Sequence, residues 1–248
     1  MARIHNMPPM PLLADPPLWN DHDHDYLVPK EMGRSLLGNP INLYHPRQAN
    51  LLVMGGVHGD ESEGIFLAHL LIKAQREIPV VACLNPDGAL LRQRWNSRNV
   101  DLNRNLPTPD WHPEPLNDRY PPGAVPASEP ETQAFLNTLD FVRPQMVLSL
   151  HSYKESFVEI ERPPDTLAPA MNTAVLELAE SLAIERRLSI GYLTPGALGS
   201  YGKQHGLLIF TYELLRGASH GELHQQLPPL LRFIQKVDGL GFTPRDEG

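Results

Sequence analysis

The chain holds one cysteine, Cys83, among 248 residues. That excludes an intramolecular disulfide and fits a reducing compartment. No stretch approaches the roughly 18 continuous apolar residues of a membrane span. The opening segment, residues 1–17, lacks the apolar core of about seven residues that a secretory signal needs, so a cytoplasmic protein is expected. Positive charge is scarce: 21 Lys and Arg stand against 29 Asp and Glu, a formal net charge of −8. A balance of that sign disfavours nucleic acid and anionic membrane as partners.

Proline is what the chain has in excess, at 26 residues, about twice ordinary usage. Residues 1–32 are Pro-rich, lack a sustained period and read as an irregular N-terminal arm. Within it, Asp21-His22-Asp23-His24-Asp25 alternates acid and imidazole. On an irregular segment those side chains have no preorganised geometry, so a solvated loop is expected there rather than a metal site. Residues 33–240 show no internal repeat and no linker, and read as one domain.

Apolar runs at Ile41–Tyr44, Leu51–Met54, Ile78–Leu84, Met146–Leu150 and Leu207–Leu215 predict strands. Helical spacing covers residues 61–77, 166–187 and 219–237. Asn85-Pro86-Asp87-Gly88 reads as a turn. Ser128-Glu129-Pro130-Glu131 resembles a capping box that would start a helix running to about Phe141. Residues 86–127 carry little periodicity, and a loop of that length usually has a functional reason. Alternating strands and helices predict an α/β fold: a single mixed, largely parallel sheet covered by helices on both faces.

In such sheets, ligand sites form beyond the carboxyl ends of the strands. His58 and Glu61 straddle a strand-to-helix turn, and His151 ends a later strand. Two imidazoles and one carboxylate with an open fourth position form a catalytic zinc set, one ion per chain. Gly55, Gly56 and Gly59 permit a tight backbone at that turn. Glu213 lies inside the apolar run Leu207–Leu215. A buried carboxylate must be paired, protonated or facing a cleft, so Glu213 is either a general base or half of an ion pair, with Arg216 as one candidate partner. Residues 92–105 are dense in arginine, and guanidinium forks suit an anionic substrate.

Together these residues resemble the M14 family of zinc metallocarboxypeptidases. The resemblance rests on Gly56-Val57-His58-Gly59-Asp60-Glu61, Asn85-Pro86-Asp87-Gly88, Val100-Asp101-Leu102-Asn103-Arg104-Asn105, Ser149-Leu150-His151-Ser152-Tyr153 and Thr211-Tyr212-Glu213-Leu214. It implies that His58, Glu61 and His151 bind zinc, that Glu213 is the general base and that Asn103 and Arg104 hold a substrate carboxylate. Asp101 would fix the imidazole of His58, and Arg94 would polarise the scissile carbonyl, with Arg92 and Arg98 as competing candidates. The segment corresponding to the family's substrate-facing tyrosine places Thr194 there, and Tyr192 or Tyr201 could substitute.

Gly33-Arg34-Ser35-Leu36-Leu37-Gly38, Ser128–Thr132 and Gly191–Gly196 resemble the branch of the family that cuts the γ-D-glutamyl–diaminopimelate bond of recycled cell-wall peptides. Ser152-Tyr153-Lys154 is instead similar to the digestive branch. The expected activity is therefore hydrolysis of an amide beside a terminal carboxylate in a small peptide. Two rivals share these elements in part. One is an N-acyl amino acid hydrolase of the succinylglutamate desuccinylase or aspartoacylase type; the other is a non-catalytic zinc- or carboxylate-binding protein.

Overall fold

A computed structural model describes residues 28–75, 77–160, 169–189 and 191–239; the Asp21–Asp25 tract lies outside them. Among these residues, eight strands form one sheet: β1 (Lys30–Arg34), β2 (Pro40–Tyr44), β3 (Leu51–Gly55), β4 (Val80–Val81), β5 (Met146–Tyr153), β6 (Phe157–Ile160), β7 (Glu185–Arg187) and β8 (Leu208–Leu215). Their order is β1-β2-β4-β3-β5-β8-β6-β7. The centre, β4-β3-β5-β8, is parallel. Antiparallel pairs join β1 to β2, β2 to β4 and β6 to β8.

Among the described residues, six α-helices accompany the sheet: α1 (Ser62–Ala74), α2 (Pro86–Leu91), α3 (Pro130–Val142), α4 (Pro169–Leu182), α5 (Leu198–Gln204) and α6 (His220–Asp238). On one face, Leu67 and Leu71 of α1, Val175 of α4 and Phe233 of α6 join Val53, Leu148 and Phe210 in a core. On the other, Phe135 of α3 and Leu198 of α5 join Leu52, Val147 and Ile209. Apolar side chains alternate between these two cores along each central strand, so both faces must be covered. The expected mixed sheet, covered on both faces, is what the chain forms.

Several local expectations change. Only Val80–Val81 of the 78–84 run is regular strand. Beyond it the chain curves around the end of β3, where Leu84 N donates to Gly55 O at 3.1 Å and Asn85 N to Gly56 O at 2.8 Å. Asn85-Pro86-Asp87-Gly88 opens α2 instead of making a simple turn: Asn85 Oδ1 accepts from Gly88 N at 2.9 Å, and Pro86 begins the helix.

The cap of α3 is Glu129, not Ser128. Ser128 Oγ donates to Glu129 at 2.7 Å, and Glu131 accepts from the buried Asn96 at 3.1 Å, so neither completes a capping box. The helix expected to reach residue 187 stops at Leu182. Ala183 takes φ +53°, while its own N–H bonds Glu180 O and that of Ile184 bonds Ala179 O, the pairing of a Schellman stop. Glu185–Arg187 then turns into an edge strand. At the other edge, Lys30–Met32, assigned to the arm by composition, are strand because β2 supplies the ladder.

Candidate metal centre and carboxylate pocket

The site forms where β3, β5 and β8 end together. β3 runs into the turn carrying His58, and His151 and Glu213 lie near the ends of β5 and β8 in direct register with one another. Glycine makes the turn possible. Gly56 has φ +61°, a region costly for other residues. At Gly59 a Cβ would lie 2.0 Å from the Gly88 carbonyl carbon, so only hydrogen fits between the turn and α2.

His58, Glu61 and His151 converge, all buried. Glu61 Oε1 lies 2.9 Å from His58 Nδ1 and Glu61 Oε2 lies 2.9 Å from His151 Nδ1. The two Nδ1 atoms are 3.3 Å apart. The opposite nitrogens are engaged elsewhere: His58 Nε2 with Asp101 Oδ1 at 3.3 Å, and His151 Nε2 with the Ser149 hydroxyl at 3.0 Å. With each Nε2 as donor, both Nδ1 atoms present lone pairs toward each other and toward a carboxylate. Three acceptors facing one point need a cation among them, and two imidazoles with one carboxylate suit zinc.

The electrostatics agree. Burial opposes charge on His58, yet Glu61 and Asp101 hold it above its ordinary value. Burial alone would raise the carboxyls, but His58 and His151 keep Glu61 well below the usual range, and Arg94 and His58 do so for Asp101. Positive charge is what this cluster is built to accept.

Glu213 faces the same region, and its Oε2 is buried with no hydrogen-bond partner among the described residues. Burial, with smaller contributions from Glu61 and Glu159, pushes its carboxyl up to about 7 against the lowering pull of His151 and Arg94. The alternative of an ion pair with Arg216 is not formed. Arg216 goes to Asp60 at 3.0 Å and Glu61 at 3.4 Å.

Of the three candidate arginines, only Arg94 reaches this centre. Its Nε and Nη2 bind Asp101 Oδ2 at 3.0 and 2.9 Å, and Nη1 lies 3.7 Å from Glu61. Arg98 pairs with Glu129 at 3.3 Å, and Arg92 is an exposed helix cap with left-handed backbone. The loop is tied to the turn of His58 through Asn85, whose Nδ2 donates to both Val57 O at 3.4 Å and Arg94 O at 3.3 Å.

Asn103 and Arg104 sit beside the start of α5. Asn103 Oδ1 accepts from Leu198 N at 2.9 Å, so its carbonyl is committed to the helix. Arg104 is 4% exposed, and no carboxylate forms an ion pair with it among the described residues. A buried guanidinium favours an anion beside it, and the charge of Arg104 already helps to hold Asp101 low.

The Tyr120 ring lies 4.7 Å from the Arg104 guanidinium and 5.2 Å from that of Arg94, and it stacks on Tyr192 at 6.4 Å. Burial and Tyr120 push the Tyr192 phenol up to about 12. Thr194 meets this region through its backbone, with its carbonyl accepting from Ala197 N at 3.1 Å. The Tyr201 ring lies tilted against His205 at 4.2 Å and packs on the second core.

Tyr120 and Arg216 were not singled out as site residues by sequence. Tyr120 lies in a Pro-rich loop without periodicity, where no local signal marks it. Arg216 follows the strand of Glu213, and spacing alone suggested the wrong carboxylate for it.

The zinc carboxypeptidase family profile matches residues 25–188. Murein peptide amidase A of Escherichia coli (strain K12) is 33% identical over 204 residues, covering 73% of this chain and 78% of the relative. Murein peptide amidase A of Vibrio campbellii (strain ATCC BAA-1116) is 30% identical over 235 residues, covering 84% and 88%. Among solved structures, murein-tripeptide amidase MpaA from Escherichia coli O157 superposes with a TM-score of 0.69 at 28% identity, covering 88% of this chain and 93% of that one. Carboxypeptidase A from Helicoverpa armigera gives 0.71 at 15% identity, covering 89% and 70%, a likeness of fold alone.

Proposed function

We propose that this chain, which belongs to the zinc carboxypeptidase family, hydrolyses the γ-D-glutamyl–diaminopimelate amide of murein peptides, using one zinc ion per chain. The observation that carries the reading is the meeting of His58 Nδ1, His151 Nδ1 and the Glu61 carboxylate with Glu213 in register beside them. The murein substrate is taken from the relatives.

His58, Glu61 and His151 would hold the zinc. When bound, the ion supplies Lewis acidity and brings the pKa of a coordinated water from 15.7 toward about 7. Asp101 fixes the ring of His58, and Ser149 that of His151. Asn103 and Arg104 take the carboxylate of the leaving residue, which the buried Arg104 charge favours. Arg94 lies beside the centre to stabilise charge developing on the carbonyl oxygen.

Glu213 moves the proton. It accepts one from the attacking water as the new C–O bond forms at the carbonyl carbon. It returns that proton to the amine nitrogen as the C–N bond breaks. A carboxyl held near about 7 can do both at neutral pH. The catalytic unit is assigned to residues 33–240. No described helix is long and apolar enough to cross a membrane, and we assign the protein to the cytoplasm, with a small peptide as its partner.

The test is a pair of substrates given to the zinc-loaded protein. Release of diaminopimelate from L-Ala-γ-D-Glu-meso-diaminopimelate, abolished by chelation and restored by zinc, is the expected result. Succinate release from N-succinylglutamate without diaminopimelate release would transfer the chain to the N-acyl amino acid hydrolases. No turnover at full zinc occupancy would make it a binding protein.

A further inference from the structure

The turn that carries Glu61 is gripped from outside the centre by the residue that follows β8. Glu61 Oε2 accepts from the backbone N–H of Ser152 at 3.2 Å, and Glu61 Oε1 accepts from Arg216 Nη2 at 3.4 Å. The same Nη2 donates to Ser152 O at 3.3 Å, and Nη1 donates to Asp60 Oδ2 at 3.0 Å. One guanidinium fork therefore spans two neighbouring residues of the turn and the residue after His151. A carboxylate has about four lone-pair positions. With one on each oxygen taken by Ser152 and Arg216, its plane is fixed. Each oxygen is then left facing an imidazole, His58 Nδ1 or His151 Nδ1, at 2.9 Å.

The backbone around Arg216 is held as firmly. Arg216 N donates to Tyr153 O at 2.7 Å, and Gly217 N donates to Glu63 Oε1 at 2.7 Å. Gly217 takes φ +82°, which lets the chain turn away directly after Arg216. Glu63, in the first turn of α1, is buried, and its Oε2 accepts from Ser152 Oγ at 2.8 Å. Both of its oxygens are thus satisfied by the ends of β5 and β8. Arg216 leaves β8 three residues after Glu213, so the grip on the turn and the carboxyl of Glu213 come from one strand end.

Charge alone does not account for the contact. A cation close to the centre repels a second cation, and an ion pair with an exposed end contributes little. Asp60 offsets that repulsion, and its other oxygen is buried with no hydrogen bond among the described residues. What remains is directional: a planar fork meets Asp60, Glu61 and Ser152 O at once, where a single ammonium is a point charge.

We propose that Arg216 is a positioning residue: it sets the plane of the Glu61 carboxylate for the metal and ties the turn of His58 and Glu61 to the strand that carries Glu213. The inference rests on the proposed zinc set and adds a residue outside that set.

The test measures metal binding by wild type, Arg216→Gln and Arg216→Lys, with no substrate present. Zinc affinity is read by competition with a chelating dye. The cobalt(II)-loaded proteins are compared by visible absorption, and the metal-free proteins are melted. Arg216→Gln should bind zinc about 10–100-fold more weakly, the loss typical when a partner of a ligand is removed. Its cobalt(II) bands should shift, because a carboxylate free to turn changes the coordination geometry. Arg216→Lys, which donates without the fork, should fall between the two. An Arg216→Gln affinity within about twofold of wild type, or the tighter binding that simple repulsion requires, would overturn the assignment. So would a lower melting temperature of the metal-free protein with wild-type affinity and bands, the mark of a merely structural contact. If Arg216→Gln does not fold, Arg216→Lys decides by itself. A loss of at least about threefold with shifted bands supports the role, and wild-type behaviour ends it. A wild type that binds neither metal would instead sink the proposed zinc set, and the positioning role with it.

Discussion

His151 on β5 and Glu213 on β8 are register partners on adjacent parallel strands. One faces Glu61 and the other ends in a buried oxygen with no hydrogen bond among the described residues. Backbone pairing therefore sets the distance between a proposed metal ligand and the proposed proton carrier. Glu213→Gln preserves shape and leaves the ligand set intact. Turnover should fall by about 10²–10⁴-fold with zinc content unchanged, read by steady-state kinetics beside metal analysis. Near wild-type kcat would remove Glu213 from the reaction.

Asp101 joins the centre to the arginine loop, touching His58 Nε2, Arg94 and the backbone N–H of Asn103. Asp101→Asn keeps the size but loses the charge that orients both partners. Zinc affinity should drop by about 10–100-fold, measured by competition with a chelating dye. An unchanged affinity would show that His58 needs no such support.

Tyr120 lies against both Arg94 and Arg104. Tyr120→Ala should raise KM several-fold with a smaller effect on kcat, since a cation–π contact of about 0.5–2 kcal/mol positions the guanidinium groups. Tyr120→Phe retains the ring and should stay close to wild type. Equal losses in both variants would assign the role to the hydroxyl instead.

Asp87 is a structural carboxylate. It accepts from Ser35 Oγ at 2.5 Å, Asn39 Nδ2 at 2.8 Å, Ser97 Oγ at 2.8 Å and Leu37 N at 3.0 Å. Burial acts to raise its pKa, but these hydrogen bonds outweigh it and hold the group below its ordinary value. A carboxyl depressed on folding adds stability that is complete above its unfolded pKa of about 3.9 and is lost as pH falls through the folded value. Asp87→Asn should cost about 2–3 kcal/mol at pH 7, and the gap to wild type should narrow below about pH 4. Denaturant melts at both pH values measure this; a constant gap would contradict it.

Gly59 leaves no room for a methyl group beside Gly88. Gly59→Ala should displace the turn of His58, lowering zinc affinity and thermal stability together. Retention of both would mean that the turn and α2 separate at little cost.

Much of the centre could be read from the chain because its chemistry is local in sequence. His58 and Glu61 flank one turn, and Glu213 stands out as a charge within an apolar strand. The central strands were legible from apolar runs for the same reason. What was not legible depends on contacts between distant segments. β6 contains Glu159 and so breaks the apolar pattern, and α5 contains two glycines that weaken its helical signal. Ser128 and Glu131 had the spacing of a cap, but Asn96, from a loop more than thirty positions away, took Glu131 for a buried network. Which arginine approaches the centre was decided by Asn85 gripping the carbonyl of Arg94, a tertiary contact that spacing cannot report.

The proposed zinc ligands come from the turn after β3 and from β5, and neither position exists until those strands have paired along Leu51–Gly55 and Met146–Leu150. Occupancy of the centre and cooperative formation of the middle of the sheet are consequently linked by mass action. The melting temperature should therefore climb with the logarithm of free zinc, turning a simple thermal scan into a readout of how well the polypeptide is metallated.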